Sequence, residues 1–143
     1  MLTTIALALL APGTFVVDDP KGINAVQWFI DSPLEPIAGT GGGVTGRLEF
    51  DPAAPAKTTG RIVVPVAGLK APVDGMTSHL KGAQWLDGEK YPEIAFAIAS
   101  VRTGGKGPAY KGTVVGDLTI KGVTKRVSAP FTVAVSLLAP AVT

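Results

Sequence analysis

Cysteine is absent from this 143-residue chain. Its absence excludes disulfides, thiolate metal sites and cysteine nucleophiles, although a domain of this size folds without disulfides in an oxidising compartment as well. The sequence also lacks a large excess or a cluster of one charge sign, because its 13 Lys and Arg residues are scattered among 11 Asp and Glu residues. A nucleic-acid-binding protein carries a basic stripe or stacking aromatic residues, and the sequence has neither.

Long apolar runs are missing too. The N-terminus is apolar only over residues 5–11, whereas a membrane-spanning helix takes about 20 residues. Residues 1–13 fit two interpretations equally well: a secretory signal, here without its positively charged start, or an apolar tail that packs against the domain. We expect no transmembrane segment, and a single domain over residues 14–143.

Glycine and proline are plentiful, at 18 and 12 residues, among many Val, Ile and Thr, which is typical of strands and turns. Apolar and polar residues alternate along several segments, and a period of two places the apolar side chains on one face of a strand. In GVTGRLEFD that face holds Val44, Gly46, Leu48 and Phe50. The other predicted strands lie in TFVVD, NAVQWFI, GRIVVPVAGL, EIAFAIASV, AYKGTVVGDLTIKG and KRVSAPFTVAV.

Local signals refine this pattern. Pro65 cannot donate a ladder hydrogen bond, which predicts an edge strand or a bulge there. Gly122 predicts a hairpin turn because it adopts φ > 0 without steric cost. Asp74 is the predicted cap of a short helix through residues 76–81. Residues 32–43 are predicted to be a loop, and the GTGGG stretch within it a flexible connection. Antiparallel strands with one helical excursion indicate a barrel or a strongly curved sheet.

Several spaced motifs resemble one known family. His79-Leu80 lies in the predicted helix, Trp85-Leu86-Asp87 and Tyr91-Pro92-Glu93-Ile94-Ala95-Phe96 follow, and residues 116–125 read GDLTIKGVTK. These motifs are similar to those of the YceI-like family of lipocalin-like, polyisoprenoid-binding proteins, over roughly residues 14–135. Such a string of motifs is far more specific than any one of them.

Two features depart from the family's pattern. Residues 32–43 are unlike the usual connection, and the sequence stops where members generally continue into further strands. A barrel of about eight strands that lacks its last strand has an unpaired edge. A fragment, a natural short form and a barrel closed by the N-terminal segment all agree with this.

The resemblance implies an all-β fold, an antiparallel lipocalin-like β-barrel of about seven or eight strands with one short helix. It also implies an apolar interior that holds a long isoprenoid chain, in the bacterial periplasm or outside the cell. Small inward residues agree with an interior cavity, because a dry core rarely tolerates such empty space.

The segment MTSHLKGAQWLDGEKYP contains the only histidine, His79, beside Trp85 and Tyr91. A lone histidine lacks the partner ligands of a zinc site, and we expect neither a metal nor a cofactor. Ser78 points in a different direction on the helix, which argues against a Ser-His-Asp catalytic arrangement. A structural, hydrogen-bonded histidine is favoured over a ligand contact at the barrel mouth. Trp85, Leu86 and Tyr91 are predicted to plug the barrel end or to wall the entrance.

Three cations, Arg47, Lys70 and Lys81, are candidates to neutralise a diphosphate, although each is better explained as an exposed charge. The GTGGG stretch lacks the Lys-Ser or Lys-Thr of a phosphate-binding loop.

The first functional hypothesis is a non-enzymatic, periplasmic or secreted protein that binds, transports or sequesters a long isoprenoid-type lipid. Apolar burial contributes about 25 cal/mol per Å² to such binding. The predicted ligand-binding residues face the interior or its mouth: Trp28, Phe50, Val64, Val66, His79, Trp85, Tyr91, Phe96, Ile98, Leu118, Ile120 and Phe131.

The alternative is a protein-interaction module with a side-chain-filled barrel, whose exposed edge strand or whose 32–43 loop binds a partner. An enzyme that acts on lipid is disfavoured, since the sequence shows no nucleophile motif, metal set or paired carboxylates. The ligand's identity and the choice between a monomer and a homodimer stay open.

Overall fold

The computed structural model describes residues 13–19, 21–22, 26–104 and 109–134. These residues form nine strands, one α-helix and two short 3₁₀ helices. The strands are β1 (Gly13–Asp18), β2 (Val26–Ile30), β3 (Ile37–Gly41), β4 (Thr45–Phe50), β5 (Thr59–Pro65), β6 (Leu69–Lys70), β7 (Glu93–Gly104), β8 (Ala109–Ile120) and β9 (Val123–Ala134). The helix α1 spans Asp74–Lys81, and the 3₁₀ helices span Pro55–Lys57 and Val66–Gly68.

All strand pairs are antiparallel, in two sheets. The larger sheet has the order β1-β4-β5-β7-β8-β9, and the smaller one has the order β2-β3-β6. The strands at the two edges of the larger sheet, β1 and β9, do not pair with each other within the described residues. The prediction of an all-β antiparallel fold with one helix is therefore confirmed, whereas the described sheets are not closed into a barrel.

The two sheets are joined by the chain segments that they share. β3 continues into β4, and β5 continues into β6, so the β4–β5 ladder and the β3–β6 ladder form one ribbon with a bend. At the bend the backbone N–H of Gly42 donates to the Gly68 carbonyl at 3.1 Å, and Gly43 has a φ of +74°. Val44, Val66 and Leu69 are buried there, which makes the bend the best-packed part of the described fold.

The predicted alternation is confirmed in strands with one covered face. Burial alternates residue by residue along β2 and β4, as expected where one face is solvated. The β8–β9 hairpin closes at the pair Ile120↔Val123, and Lys121 and Gly122 have φ angles of 50° and 73°. Positive φ at both central residues is the signature of a type I′ turn, so the predicted hairpin is confirmed.

The prediction that the strand of Pro65 lies at an edge or has a bulge at the proline is wrong. β5 lies inside the sheet, and the register shift occurs in β7, between Ile98 and Ser100. Pro65 is tolerated because the β4–β5 ladder already ends at Thr45↔Val63, so only β7 pairs with β5 at the proline. A missing N–H is harmless on a side of the strand that has no neighbour.

Two other local predictions also need correction. Asp74 is the first residue of α1 rather than its cap; Val73 precedes it without a side-chain capping bond. Asp74 thus lies in the first turn, where the helix dipole favours a negative charge. The predicted loop over residues 32–43 contains β3, whose partners on both sides are β2 and β6. A glycine-rich stretch becomes a central strand here because its neighbours supply the ladder on both edges.

Candidate ligand-binding site

A cavity of about 120 Å³ lies between α1 and the β2–β3 ribbon. Alternation along β2 places Trp28 and Ile30 on one face, and a spacing of four along α1 places Met76 and Leu80 on one side of the helix. Seven of the eight lining side chains are apolar or aromatic, and the eighth is His79. The lining residues are Trp28, Ile30, Ile37, Ala71, Met76, His79, Leu80 and Trp85.

Trp28 forms a fixed wall of this cavity. Its indole N–H donates to the Thr40 carbonyl at 3.1 Å, and its ring lies so close over Gly39 that a Cβ at that position would collide with it. Because its only donor is already used, Trp28 offers a ligand an apolar ring face and no polar group.

A second cavity, of about 230 Å³, adjoins the first and shares His79 and Trp85 with it. Its other lining residues are Ser78, Gly82, Ala83 and Gln84. The Lys121 ammonium group donates to the Ala83 carbonyl at 3.3 Å, which places the tip of the β8–β9 hairpin beside this cavity. Apolar surface predominates in both cavities, but the second has the larger polar share. The first is called the apolar cavity below and the second the polar cavity.

The structure does not support a hydrogen-bonded, structural role for His79. Within the described residues its imidazole makes no hydrogen bond or ion pair, and its side chain is exposed and borders both cavities. Trp85 is 55% exposed rather than fully buried as a plug, and it likewise borders both cavities. Their donors and acceptors are thus free to meet a ligand.

The inner face of the larger sheet is a second apolar region. Six of the predicted ligand-binding residues lie on it, all half-buried: Phe50, Val64, Phe96, Ile98, Leu118 and Phe131. Aromatic rings close one end of this face. The Phe50 ring packs edge-on against Phe15 and Tyr110, at centroid distances of 6.2 and 5.6 Å.

The predicted ligand-binding residues therefore fall into separate groups. Trp28, His79 and Trp85 meet at the helix-side cavity, and the six residues above line the inner sheet face. Val66 is 2% exposed and belongs to the packed bend. Tyr91 covers Gly122 in the hairpin turn, and Ile120 is exposed at the end of the inner face. Ligand contact by any of these residues stays a prediction.

Sequence reasoning missed five residues of the helix-side cavity. The spacing of Met76 and Leu80 and the alternation that contains Ile30 were visible signals. Ile37 was hidden by the interpretation of its segment as a flexible loop. No sequence pattern marked Ala71, which reaches the cavity because it follows β6 directly.

Several charged side chains lie outside both apolar regions. Arg126 binds the Asp117 carboxylate with two hydrogen bonds, of 2.9 and 3.0 Å, on the exposed face of the hairpin. The hydrogen bond from Arg126 lowers the pKa of Asp117 below its ordinary value. Arg47 and Lys70 are exposed, as predicted, and the Lys81 ammonium group donates to the Ala67 carbonyl at 2.7 Å.

The described residues contain neither a metal-ligand cluster nor a helix that could span a membrane. No group of three or more His, Asp or Glu side chains in that part of the chain is suited to a metal ion. None of its helices has both the length and the apolar character required to cross a membrane.

The fold and the cavities define an all-β, antiparallel protein with a helix-covered apolar cavity. Residues 23–142 match the YceI-like domain, and the chain belongs to the YceI-like family. The predicted family resemblance is thus confirmed.

Among curated relatives, a UPF0312 protein of Photorhabdus laumondii is 34% identical over 131 residues, which are 88% of this chain and 66% of the relative. A UPF0312 protein of Pseudomonas putida is 34% identical over 112 residues, which are 77% of this chain and 57% of the relative. The chain thus spans less than two thirds of the length of these relatives.

Solved structures show the same fold. BcnA of Burkholderia cenocepacia superposes with a TM-score of 0.59 at 25% identity, over 83% of this chain and 65% of that one. The YceI protein of Campylobacter jejuni superposes with a TM-score of 0.57 at 20% identity, over 73% of this chain and 58% of that one.

Proposed function

We propose that this protein binds a long isoprenoid-type lipid without chemical conversion and carries or sequesters it in the periplasm or outside the cell. The lipid chain lies along the inner face of the larger sheet, within a barrel-like enclosure. Membership of the YceI-like family supports the ligand class.

One observation carries the proposal: the inner sheet face is apolar and only half covered. The apolar side chains that are buried are Val44, Val66, Leu69, Ala95 and Tyr110 among the described residues, and none of them belongs to the six predicted ligand residues on this face. A protein rarely leaves so continuous an apolar surface without an occupant. An apolar chain laid on it is stabilised by about 25 cal/mol per Å² of surface removed from water.

The first experiment identifies the cargo. The protein is purified without detergent from its native kind of cell, extracted with organic solvent, and the extract is analysed by mass spectrometry. A stoichiometric isoprenoid supports the proposal. A folded protein that yields no lipid, and that also fails to retain added decaprenol after gel filtration, contradicts it.

Ile98→Trp tests where the chain lies. Ile98 faces inward opposite Gly116, so an indole there occupies the space of the ligand, and we expect decaprenol retention to fall at least tenfold. Thr113→Trp places the same ring on the exposed, outer face of β8 and serves as the matched control. Equal retention by the two folded variants would remove the inner face from the proposal.

A second candidate function is favoured by the free edge of β9. This strand pairs with β8 alone in the described residues, and an open edge is a ready template for a strand of a partner protein. The amide exchange measurement described in the Discussion separates this interaction module from the lipid carrier.

A further inference from the structure

The two adjacent cavities differ in how many polar groups border them. The first is walled by apolar side chains, including both tryptophans of the chain. The second is bordered by Ser78, Gln84 and the backbone of Gly82 and Ala83. His79 and Trp85 belong to both, so a molecule that passes between them has its two ends in different surroundings.

Size limits what the first cavity holds. An apolar cavity of about 150 Å³ holds one benzene molecule, and this one is about 120 Å³. It therefore accommodates a branched group of roughly one isoprene unit. A long chain does not fit within it, so the remainder of a longer ligand must leave by way of the cavity mouth.

Charge indicates which head group suits the second cavity. The Lys121 ammonium group donates at 3.3 Å to the carbonyl of Ala83, which is a lining residue, and no lining residue is acidic. Asp87 is the one acidic residue in the loop between α1 and Gly88. The imidazole of His79 and the indole N–H of Trp85 have no partner within the described residues, so both can hydrogen-bond a head group.

We infer that the paired cavities form one bipartite site for an amphiphile, with one isoprene unit in the apolar cavity and an anionic head, such as a phosphate, in the polar cavity beside Lys121. This inference rests on the proposed function and deepens it, because it assigns the end of the lipid that the protein recognises. The polar cavity then selects prenyl phosphates over neutral prenyl alcohols of the same length.

The test uses the full chain and the intrinsic fluorescence of Trp28 and Trp85, which both line the apolar cavity. Geranyl phosphate, geraniol and inorganic phosphate are titrated separately. We expect saturable binding of geranyl phosphate with a shift of emission to shorter wavelength, weaker binding of geraniol, and no response to inorganic phosphate. Saturable binding of inorganic phosphate alone would indicate a plain anion site and overturn the inference.

Two pairs of variants separate the contributions of the two cavities. Ala71→Leu fills the apolar cavity and should weaken the binding of geranyl phosphate and of geraniol at least tenfold. Ala38→Leu, on the exposed side of β3, should change the affinity for neither ligand. Lys121→Gln should weaken the binding of geranyl phosphate about fivefold, which corresponds to the loss of an exposed charge pair of about 1 kcal/mol. The affinity for geraniol should change by less than twofold. Lys111→Gln removes an exposed lysine on the outer face of the same hairpin and is the control for net charge.

Urea midpoints of all four variants establish that they fold. The bipartite site would be overturned if Lys121→Gln lost the same affinity for geranyl phosphate as for geraniol. It would also be overturned if a folded Ala71→Leu protein bound both ligands as tightly as the unchanged protein. Retention of decaprenol without binding of geranyl phosphate overturns this inference and leaves the proposed function in place. Failure of the folded protein to bind geranyl phosphate and to retain decaprenol overturns the proposed function as well.

Discussion

Gly39 shows how a single residue determines the shape of the cavity. A Cβ at this position would collide with the Trp28 indole and with the Lys70 carbonyl oxygen. Trp28 is therefore held flat on β3, with its N–H bonded to Thr40, and its ring face becomes the cavity wall. The smallest residue in β3 is what allows the largest residue in β2 to pack.

Gly39→Ala should destabilise the protein by about 1–3 kcal/mol, the usual cost of overpacking. Gly75→Ala is the matched control, because a Cβ there meets open space within α1 and alanine is favoured over glycine in a helix by about 1 kcal/mol. Urea unfolding of both variants measures the difference. An unchanged midpoint in Gly39→Ala would mean that Trp28 does not lie against β3 in solution.

Asp117 provides a prediction about pH. The hydrogen bond from Arg126 lowers the pKa of this carboxyl group in the folded state. The pair thus stabilises the fold above the unfolded pKa of aspartate, and this contribution disappears as the pH falls through the lowered folded value. An NMR titration should find the Asp117 pKa below that of a model peptide, and Arg126→Gln should return it upward. No change on that substitution would show that the pair does not persist.

At the level of secondary structure, the β8–β9 hairpin determines which backbone N–H groups of β9 point away from β8. Its two-residue turn is closed by the pair Ile120↔Val123, and the pair that flanks such a turn is hydrogen-bonded. Hydrogen-bonded and non-hydrogen-bonded pairs then alternate along the rest of the β8–β9 ladder. Lys125 and Val127 then bond to β8. Thr124, Arg126 and Ser128 direct their N–H groups away from it, toward the free edge of β9.

Hydrogen exchange should therefore alternate along this strand. We expect the Lys125 and Val127 amides to be protected and those of Thr124, Arg126 and Ser128 to exchange much faster, when each is followed by NMR at two protein concentrations. Protection of both sets would show that a further strand covers the edge. If that protection grows with protein concentration, the strand comes from a second copy of the chain, which is the result that favours the interaction module.

At the scale of the whole molecule, the fold is a bent antiparallel ribbon extended by three long strands. The bend contains most of the buried apolar side chains, including Val44, Val66 and Leu69, while the inner sheet face is only half covered. Under the proposed function, stability and ligand binding thus depend on different parts of the chain. A ligand on the inner face adds apolar contacts that the protein does not make by itself.

Ligand binding should consequently raise global stability. Geranylgeraniol at a concentration of 100 times its Kd should add about 2.7 kcal/mol to the free energy of unfolding. Chemical unfolding with and without the alcohol measures this, and dodecane serves as an apolar control without a head group. Equal stabilisation by dodecane would indicate nonspecific apolar binding.

The strands other than β3, the helix, the hairpin turn and the family could be predicted from the sequence. Each of these depends on local chemistry: a period of two, a helix-length spacing, a glycine at positive φ, or motifs in a fixed order. The prediction failed for β3, because a glycine-rich segment has no alternation that reveals a strand. It becomes a strand only because β2 and β6 lie on both sides of it.

Tertiary structure alone decided which residues meet. Trp28, Ala71 and Trp85 lie far apart in sequence and share one cavity because the ribbon bends and α1 crosses over its smaller sheet. The tertiary structure also buries Val66 in the bend. Sequence alternation had grouped this residue with the inner-face residues. Periodicity assigns a side chain to a face of a strand, but burial depends on what the rest of the chain places against that face.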